Sequence, residues 1–251
     1  MTLPVLILAG SRDGERDPLA RAGRVSHKAV LPIHGVPMIE RVVHALETVP
    51  SLGPIWVSIE KPDCLAFLGS RIRIIPAASS PSESVSKALE TIGTPCLITT
   101  ADHALLHPEW ISEFLEASNA SDVDLTAAIA SSAVIERDVP QTQRTYIRLA
   151  DLSFSGCNLF FLRSNNAQNV VAFWRVLQKN RKHPVRMAFT FGLGTLVRFL
   201  FRRLRKCDVE ARIHTLTGAR VALIPLSDGR AAVDVDKISD LKLVQSLLAA
   251  H

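Results

Sequence analysis

The chain has 251 residues, 47% of them hydrophobic and 21% charged, the size and balance of one folded α/β domain with a sizeable core. Its formal charge is +5, unevenly placed: no Asp or Glu falls between Leu152 and Cys207, a stretch that runs from Arg163 through Arg186 to Lys206 in basic residues. Such a block implies an anionic partner, whether phosphate, nucleic acid or a membrane surface. The four cysteines, Cys64, Cys96, Cys157 and Cys207, show no C-x-x-C spacing, which argues against a zinc site and a disulfide framework. Cys96 and Cys157 read instead as small core residues in a reduced, cytoplasmic setting. Met1 to Pro4 carries no basic side chain and the apolar run behind it is only strand length, so no secretory signal is expected.

In chain order, Leu3 to Ala9 reads as a buried strand ended by glycine. Pro37 to Leu46 follows a Gly-Val turn and reads as a helix with Met38, Val42, Val43 and Leu46 on one face. Ile55 to Ile59 and Ile72 to Pro76 are the second and third strands. Ser82 to Ile92 is a helix with Ser82 as its N-cap. Cys96 to Thr99 is a fourth strand, and Pro108 opens a helix over Glu109 to Ala117. The alternation of strand and helix predicts a mainly parallel sheet flanked by helices. Further strands are expected at Leu125 to Ala130, Thr145 to Leu149, Cys157 to Leu162, Val221 to Pro225 and Ala231 to Val233. Asn165 to Gln178, Val185 to Arg203 and Lys237 to Leu248 read as helices, the first two separated by His183-Pro184. Without repeats or an obvious linker, residues 1–251 read as a single domain in which 165–206 forms a helical basic insertion.

Parallel sheets bind ligands at the carboxyl ends of their strands, and three such places carry chemistry here. After the first strand come Gly10, Ser11 and Arg12. A glycine there lets backbone N–H groups approach phosphate oxygens, while Arg12, Arg16, Arg21, Arg24 and Lys28 supply positive charge. After the fourth strand comes Asp102, placed to hold Mg²⁺ beside phosphate oxygens. His103 and His107 are spaced for a helix, but Pro108 follows at once and no third ligand accompanies them, so zinc is not expected. Near residue 235, Asp234 and Asp236 offer two carboxylates at the end of the expected strand, of which only one is expected to share a metal with Asp102.

The succession "LILAG…HKAVLPIHGVPMIERVVHAL", "LITTADHALL", "SGCNLFFL" and "VDVDKISDL" resembles the MobA-like NTP transferases. These include the molybdenum-cofactor nucleotidyltransferases and the sugar-phosphate and polyol-phosphate nucleotidylyltransferases. The resemblance implies a GT-A-like, Rossmann-like α/β fold. It also implies a Mg²⁺-dependent reaction of a nucleoside triphosphate with a small phosphorylated acceptor, releasing pyrophosphate. By the same resemblance Leu8, Ala9, Gly10, Ser11, Arg12 and Lys28 bind the nucleotide, with Thr100 and Ala101 beside them and Ser84 near the base. Lys28, Arg12 and Asp102 act in catalysis, Asp102 and Asp236 hold the metal (Asp234 being the alternative), and Gly156 and Asn158 face the acceptor.

Other readings stay open at this level. "DVD" at 234–236 suits a glycosyltransferase using a nucleotide-sugar, although it lies far along the chain for that role. A non-catalytic nucleotide-binding or membrane-associated protein is a third reading. Within the nucleotidyltransferase reading, the basic segment leans the choice toward CTP. Residues 187–206 read either as a core helix with a solvated basic end or as an interfacial helix on anionic lipid, which would bring peripheral contact with the inner membrane face. With a single Tyr and no base-reading motif, nucleic acid is not an expected partner.

Overall fold

The computed structural model describes residues 2–11, 13–142, 144–180 and 190–249. Arg12, the basic residues Arg181, Lys182 and Arg186, the His183-Pro184 break and the first part of the 185–203 and 187–206 segments lie outside them.

The first half alternates as expected. β1 (Leu3–Leu8) leads through a short α1 (Pro18–Gly23) and the small hairpin β2 (Pro32–Ile33) and β3 (Val36–Pro37) into α2 (Met38–Glu47). Then follow β4 (Leu52–Ile59), β5 (Ile72–Pro76), α3 (Pro81–Ile92), β6 (Cys96–Thr100) and α4 (Pro108–Ala120). β7 (Leu125–Ser131) runs straight into α5 (Ser132–Asp138), and a two-residue β8 (Ile147–Arg148) precedes the long β9 (Ser153–Leu162). The last part holds α6 (Ala167–Asn180), α7 (Leu193–Leu200), α8 (Lys206–Thr217), β10 (Val221–Pro225) and α9 (Ile238–Ala249).

One sheet runs β10-β7-β9-β6-β1-β4-β5, with β8 attached to β9. Only β9 opposes its two neighbours on that path; the β1–β4, β1–β6, β4–β5 and β10–β7 pairs are parallel. Alternation along each strand feeds two apolar layers. Val5 and Ile7 of β1 join Val57, Leu97, Val42, Leu46, Ile111 and Phe114 on the face covered by α2 and α4. Leu6 joins Ile98, Val85, Leu89 and Val171 on the face covered by α3 and α6. A third cluster, with Leu19, Ile33, Met38, Val233, Val235 and Val244, ties α1 and α9 together at the edge. Cys96 and Cys157 are buried in these layers, and burial pushes both thiols up to about 12.

Four local expectations change. The N-cap of α3 is Ser80 rather than Ser82: Pro81 takes the first helical position, which needs no N–H, and the Ser80 hydroxyl accepts from Glu83 N–H at 3.3 Å. Pro37 caps α2 rather than entering its first turn. Ala231 to Val233 is not a strand. Gly229–Ala232 forms a 3₁₀ turn, begun where the Asp228 carboxylate accepts from Arg230 N–H at 2.8 Å. The strand expected over Thr145 to Leu149 shrinks to the two residues of β8.

Candidate functional site

The carboxyl ends of β1, β4 and β6 finish level. Ala9 N–H donates to Ser58 O, and Ala101 N–H donates to Leu8 O, both at 2.9 Å. Leu8, Ala9, Gly10 and Ser11 therefore leave the sheet beside Thr100, Ala101 and Asp102. A cavity of about 440 Å³ opens there, lined by Leu8, Gly10, Ser11, Glu60, Ala78 and Ser84 among others. A Cβ on Gly10 would stand 3.4 Å from that of Ala77 and narrow the entrance. Ser84 is buried, and its hydroxyl accepts from Ala78 N–H at 2.9 Å, which fixes the opposite wall.

Lys28 reaches this place from a 3₁₀ turn, Lys28–Val30, begun by His27, whose Nδ1 accepts from Ala29 N–H at 3.0 Å. The Lys28 ammonium donates to Asp102 Oδ2 at 2.9 Å and to Asp236 Oδ1 at 3.1 Å. Asp236 arrives on an irregular segment laid along β6's exit, where Val235 N–H donates to Asp102 O at 3.0 Å. Burial works against the ammonium, but the Asp102 carboxylate and then Asp236 outweigh it and raise the Lys28 pKa. Desolvation on its packed side, together with the Asp234 charge, pushes the Asp236 carboxyl up against the pull of Lys28.

Asp234 and Asp236 make separate contacts, which fits the absence of a strand here, since residues two apart on a strand share a face. Asp234 turns away to Arg144, at 2.5 Å, and to Asn158 Nδ2, at 2.9 Å. Asn158 takes this direction from a bulge. β7 and β9 shift register between the Ala127–Phe160 and Ile129–Gly156 pairs, and Asn158 adopts φ 49° there. Gly156 lies exposed on the same strand. Leu8 to Ser11, Lys28 and Asp102 line a second, small cavity of about 40 Å³ that shares Leu8, Gly10 and Ser11 with the first; Asp236 joins it through Lys28, and Asn158 and Asp234 form a separate pair. Arg12 lies outside the described residues.

Can these residues hold a divalent cation? Asp102 Oδ1 is buried with no hydrogen-bond partner, an acceptor left open to a ligand. Asp102 and Asp236 share a single ammonium between them, so their charge is only partly offset. Among the described residues no group of three or more His, Cys, Asp and Glu could hold a metal. A two-carboxylate donor set of oxygens suits Mg²⁺, which keeps waters and binds through one or two carboxylates plus substrate phosphates. The residues fit that ion. His103 is a buried imidazole stacked on Trp110, and burial holds its pKa down to about 4; His107 caps α4.

Sequence reasoning gives no role to three further residues. Glu60 follows β4, and its carboxylate accepts from Ser11 N–H through both oxygens at 3.1 Å. His27 Nε2 meets Glu60 Oε1 at 3.0 Å; with Nδ1 already accepting from Ala29 N–H, Nε2 donates there. Arg144 clamps Asp234 and also donates to Ala232 O. The only signal for Glu60 is its place, an acid directly after a buried strand.

The family model of the MobA-like NTP transferase domain matches residues 5–189. No curated protein matches the chain. A hypothetical transferase from Thermus thermophilus superposes with a TM-score of 0.82 at 28% identity, covering 96% of this chain and all (100%) of that one. CMP:2-keto-3-deoxy-manno-octonic acid synthetase, solved in complex with CTP, gives a TM-score of 0.60 at 12% identity over 99% of this chain and 98% of that one. A 4-diphosphocytidyl-2C-methyl-D-erythritol synthase from Anaerococcus prevotii gives 0.59 at 9% identity, with 99% and 98% covered. At those identities the last two show a shared fold.

Proposed function

Because the chain belongs to the MobA-like NTP transferase family, we propose that it transfers a nucleoside monophosphate from an NTP, with Mg²⁺, to a small phosphorylated acceptor and releases pyrophosphate. The observation that carries this reading is the Lys28 ammonium lying between Asp102 and Asp236 at the mouth of the Gly10 cavity.

The acceptor phosphate is already ionised at neutral pH, so the reaction needs no general base. One of its oxygens attacks the α-phosphorus, and the bond from that phosphorus to the bridging oxygen breaks as pyrophosphate leaves. The Gly10 N–H and the Ser11 hydroxyl hold phosphate oxygens, the Ser11 N–H being taken by Glu60, and Lys28 swings from the carboxylates onto the triphosphate to offset charge as it moves to the leaving group. Asp102 and Asp236 would hold Mg²⁺, which supplies further charge neutralisation. Catalysis of this kind is positioning and electrostatics. Asn158, held by Asp234, and Gly156 border the acceptor side.

CTP is the proposed donor. Glu60 offers only acceptors to the cavity, and Ser11 and His27 leave part of its lone-pair capacity open. That suits a base with an exocyclic amine, such as cytosine, and disfavours uracil. The CTP named with one structural neighbour supports the same choice.

Pyrophosphate release from CTP, GTP, UTP and ATP against a panel of sugar and polyol phosphates tests the reading. Asp102→Asn is expected to abolish Mg²⁺-dependent turnover with the melting temperature retained. Full activity in that variant rejects the assignment. NTP binding without turnover by any acceptor favours a non-catalytic nucleotide binder.

A further inference from the structure

A separate feature lies far along the chain from the carboxylates. Of the ten large hydrophobic side chains exposed among the described residues, Leu193, Val197, Phe199, Leu200 and Phe201 fall within one short segment around α7. Leu200 and Phe201 are 67% and 73% exposed. Positions 193, 197, 200 and 201 follow the i, i+4, i+7, i+8 spacing, so they form one stripe along the helix. Arg198, Arg202, Arg203 and Arg205 border it, all exposed, and no acidic residue lies in the segment.

The stripe is held outward. Arg212 Nε donates to Phe191 O at 2.6 Å, and the Phe191 ring meets Phe173 of α6 edge-on at 5.4 Å. Arg198 pairs with Asp208 of α8 at 2.8 Å, and the buried Leu204 accepts through its carbonyl from Ala150 N–H at 2.8 Å. α6 and α8 therefore present the apolar side of α7 to the surroundings instead of covering it.

We infer that α7 and the arginines after it, residues 193–205, form a docking surface for an anionic lipid bilayer. A stripe of apolar side chains with an arginine border matches a negatively charged interface: the rings and aliphatic chains enter the acyl boundary and the guanidinium groups stay among the headgroups. A helix of eight residues is about 12 Å long, too small alone for a stable protein interface of roughly 20–30 residues a side. Among the described residues no helix is long and apolar enough to cross a membrane, so the contact is peripheral. This inference is independent of nucleotidyl transfer.

The test uses the full chain and vesicles of phosphatidylcholine, with and without phosphatidylglycerol, in co-sedimentation. The wild-type chain should pellet with the anionic vesicles and be released at about 1 M salt, where the screening length is near 3 Å. Arg202→Gln with Arg203→Gln should weaken partition about 30-fold, and Leu200→Ser with Phe201→Ser should abolish it. Both pairs alter exposed side chains, so melting temperature and any NTP-induced thermal shift should match the wild type. No sedimentation with anionic vesicles at low salt overturns the inference, as does binding that neither pair weakens. A wild-type dimer in solution that the Leu200/Phe201 pair dissociates also overturns it, by giving the stripe to a second copy of this chain.

Discussion

Replacing Lys28 with Met removes the cation between Asp102 and Asp236 and keeps most of the side-chain stem. The Lys28 and Asp102 side chains are only 17% and 22% exposed, so their bond at 2.9 Å is largely out of water. A charge-assisted hydrogen bond of that kind contributes about 1.5–3 kcal/mol. The second arm adds little, because the Asp236 side chain is 66% exposed and exposed pairs contribute about 0–1 kcal/mol. Lys28→Met should therefore lose about 2–3 kcal/mol, or roughly 4–12 °C in melting temperature for a chain of this size. The Lys28 pKa is held above its ordinary 10.5. Its contribution is fully present below that pH and lost only as pH rises through the raised value, so the gap from wild type stays constant over pH 6–9. The same substitution leaves two carboxylates facing each other without a counter-ion. Millimolar Mg²⁺ without nucleotide should then raise the variant's melting temperature while barely moving the wild type, whose lysine competes for the same oxygens. Differential scanning fluorimetry with and without Mg²⁺, at matched ionic strength, measures both effects. A variant that melts at the wild-type temperature and ignores Mg²⁺ would refute the account of Lys28 as their shared counter-ion.

Two other outcomes follow from the site and its surroundings. Glu60→Gln adds an N–H donor where only acceptors faced the cavity, so the CTP-over-UTP preference in NTP-dependent pyrophosphate release should fall about 10–100-fold; an unchanged ratio removes Glu60 from base selection. Burial holds the folded His103 at about 4 against an ordinary 6.5, so its contribution is present above pH 6.5 and is lost as pH falls toward 4. Urea unfolding at pH 7 and pH 4 should show His103→Leu losing about 3 kcal/mol less than the wild type over that range, and an equal loss would mean the imidazole is not kept neutral.

Much of this architecture could be read from the chain because the central strands are short aliphatic runs with clear ends. β5 and β10 fall where the apolar runs place them, at Ile72–Pro76 and Val221–Pro225. β9 was legible only in its second half, since Ser153, Ser155 and Gly156 dilute its apolar alternation. α8 escapes notice because none of its residues is buried and no apolar stripe marks it. The alternation in "AAVDVD" imitates a strand, yet a Cβ on Gly229 would meet Val134 O and the Ile135 backbone at 2.6 Å. That close approach to α5 accompanies the 3₁₀ turn found there. Lys28, Asp102 and Asp236 stand out because each follows or precedes an apolar run at a position that binds ligands in parallel sheets. Glu60 and Arg144 do not, because their meaning depends on which strands are neighbours. Only the pairing of β1 with β4 puts Glu60 against Ser11, and no local window contains that fact.

The contact between Lys28 and Asp236 joins residues 208 positions apart. During synthesis, at roughly 5–20 residues per second, Lys28 leaves the ribosome about 10–40 s before its second carboxylate exists. The strands β1, β4, β5 and β6 can meet in that interval, but β9 must still be threaded between β6 and β7, and the segment carrying Asp236 must still be laid beside β6. A nascent chain can therefore hold the cavity beside Gly10 with half of the carboxylate pair around Lys28 missing. The Lys28 cluster is thus completed only once residue 236 has been added, and a ribosome stalled before it displays a chain with the sheet begun and one of the two carboxylates absent.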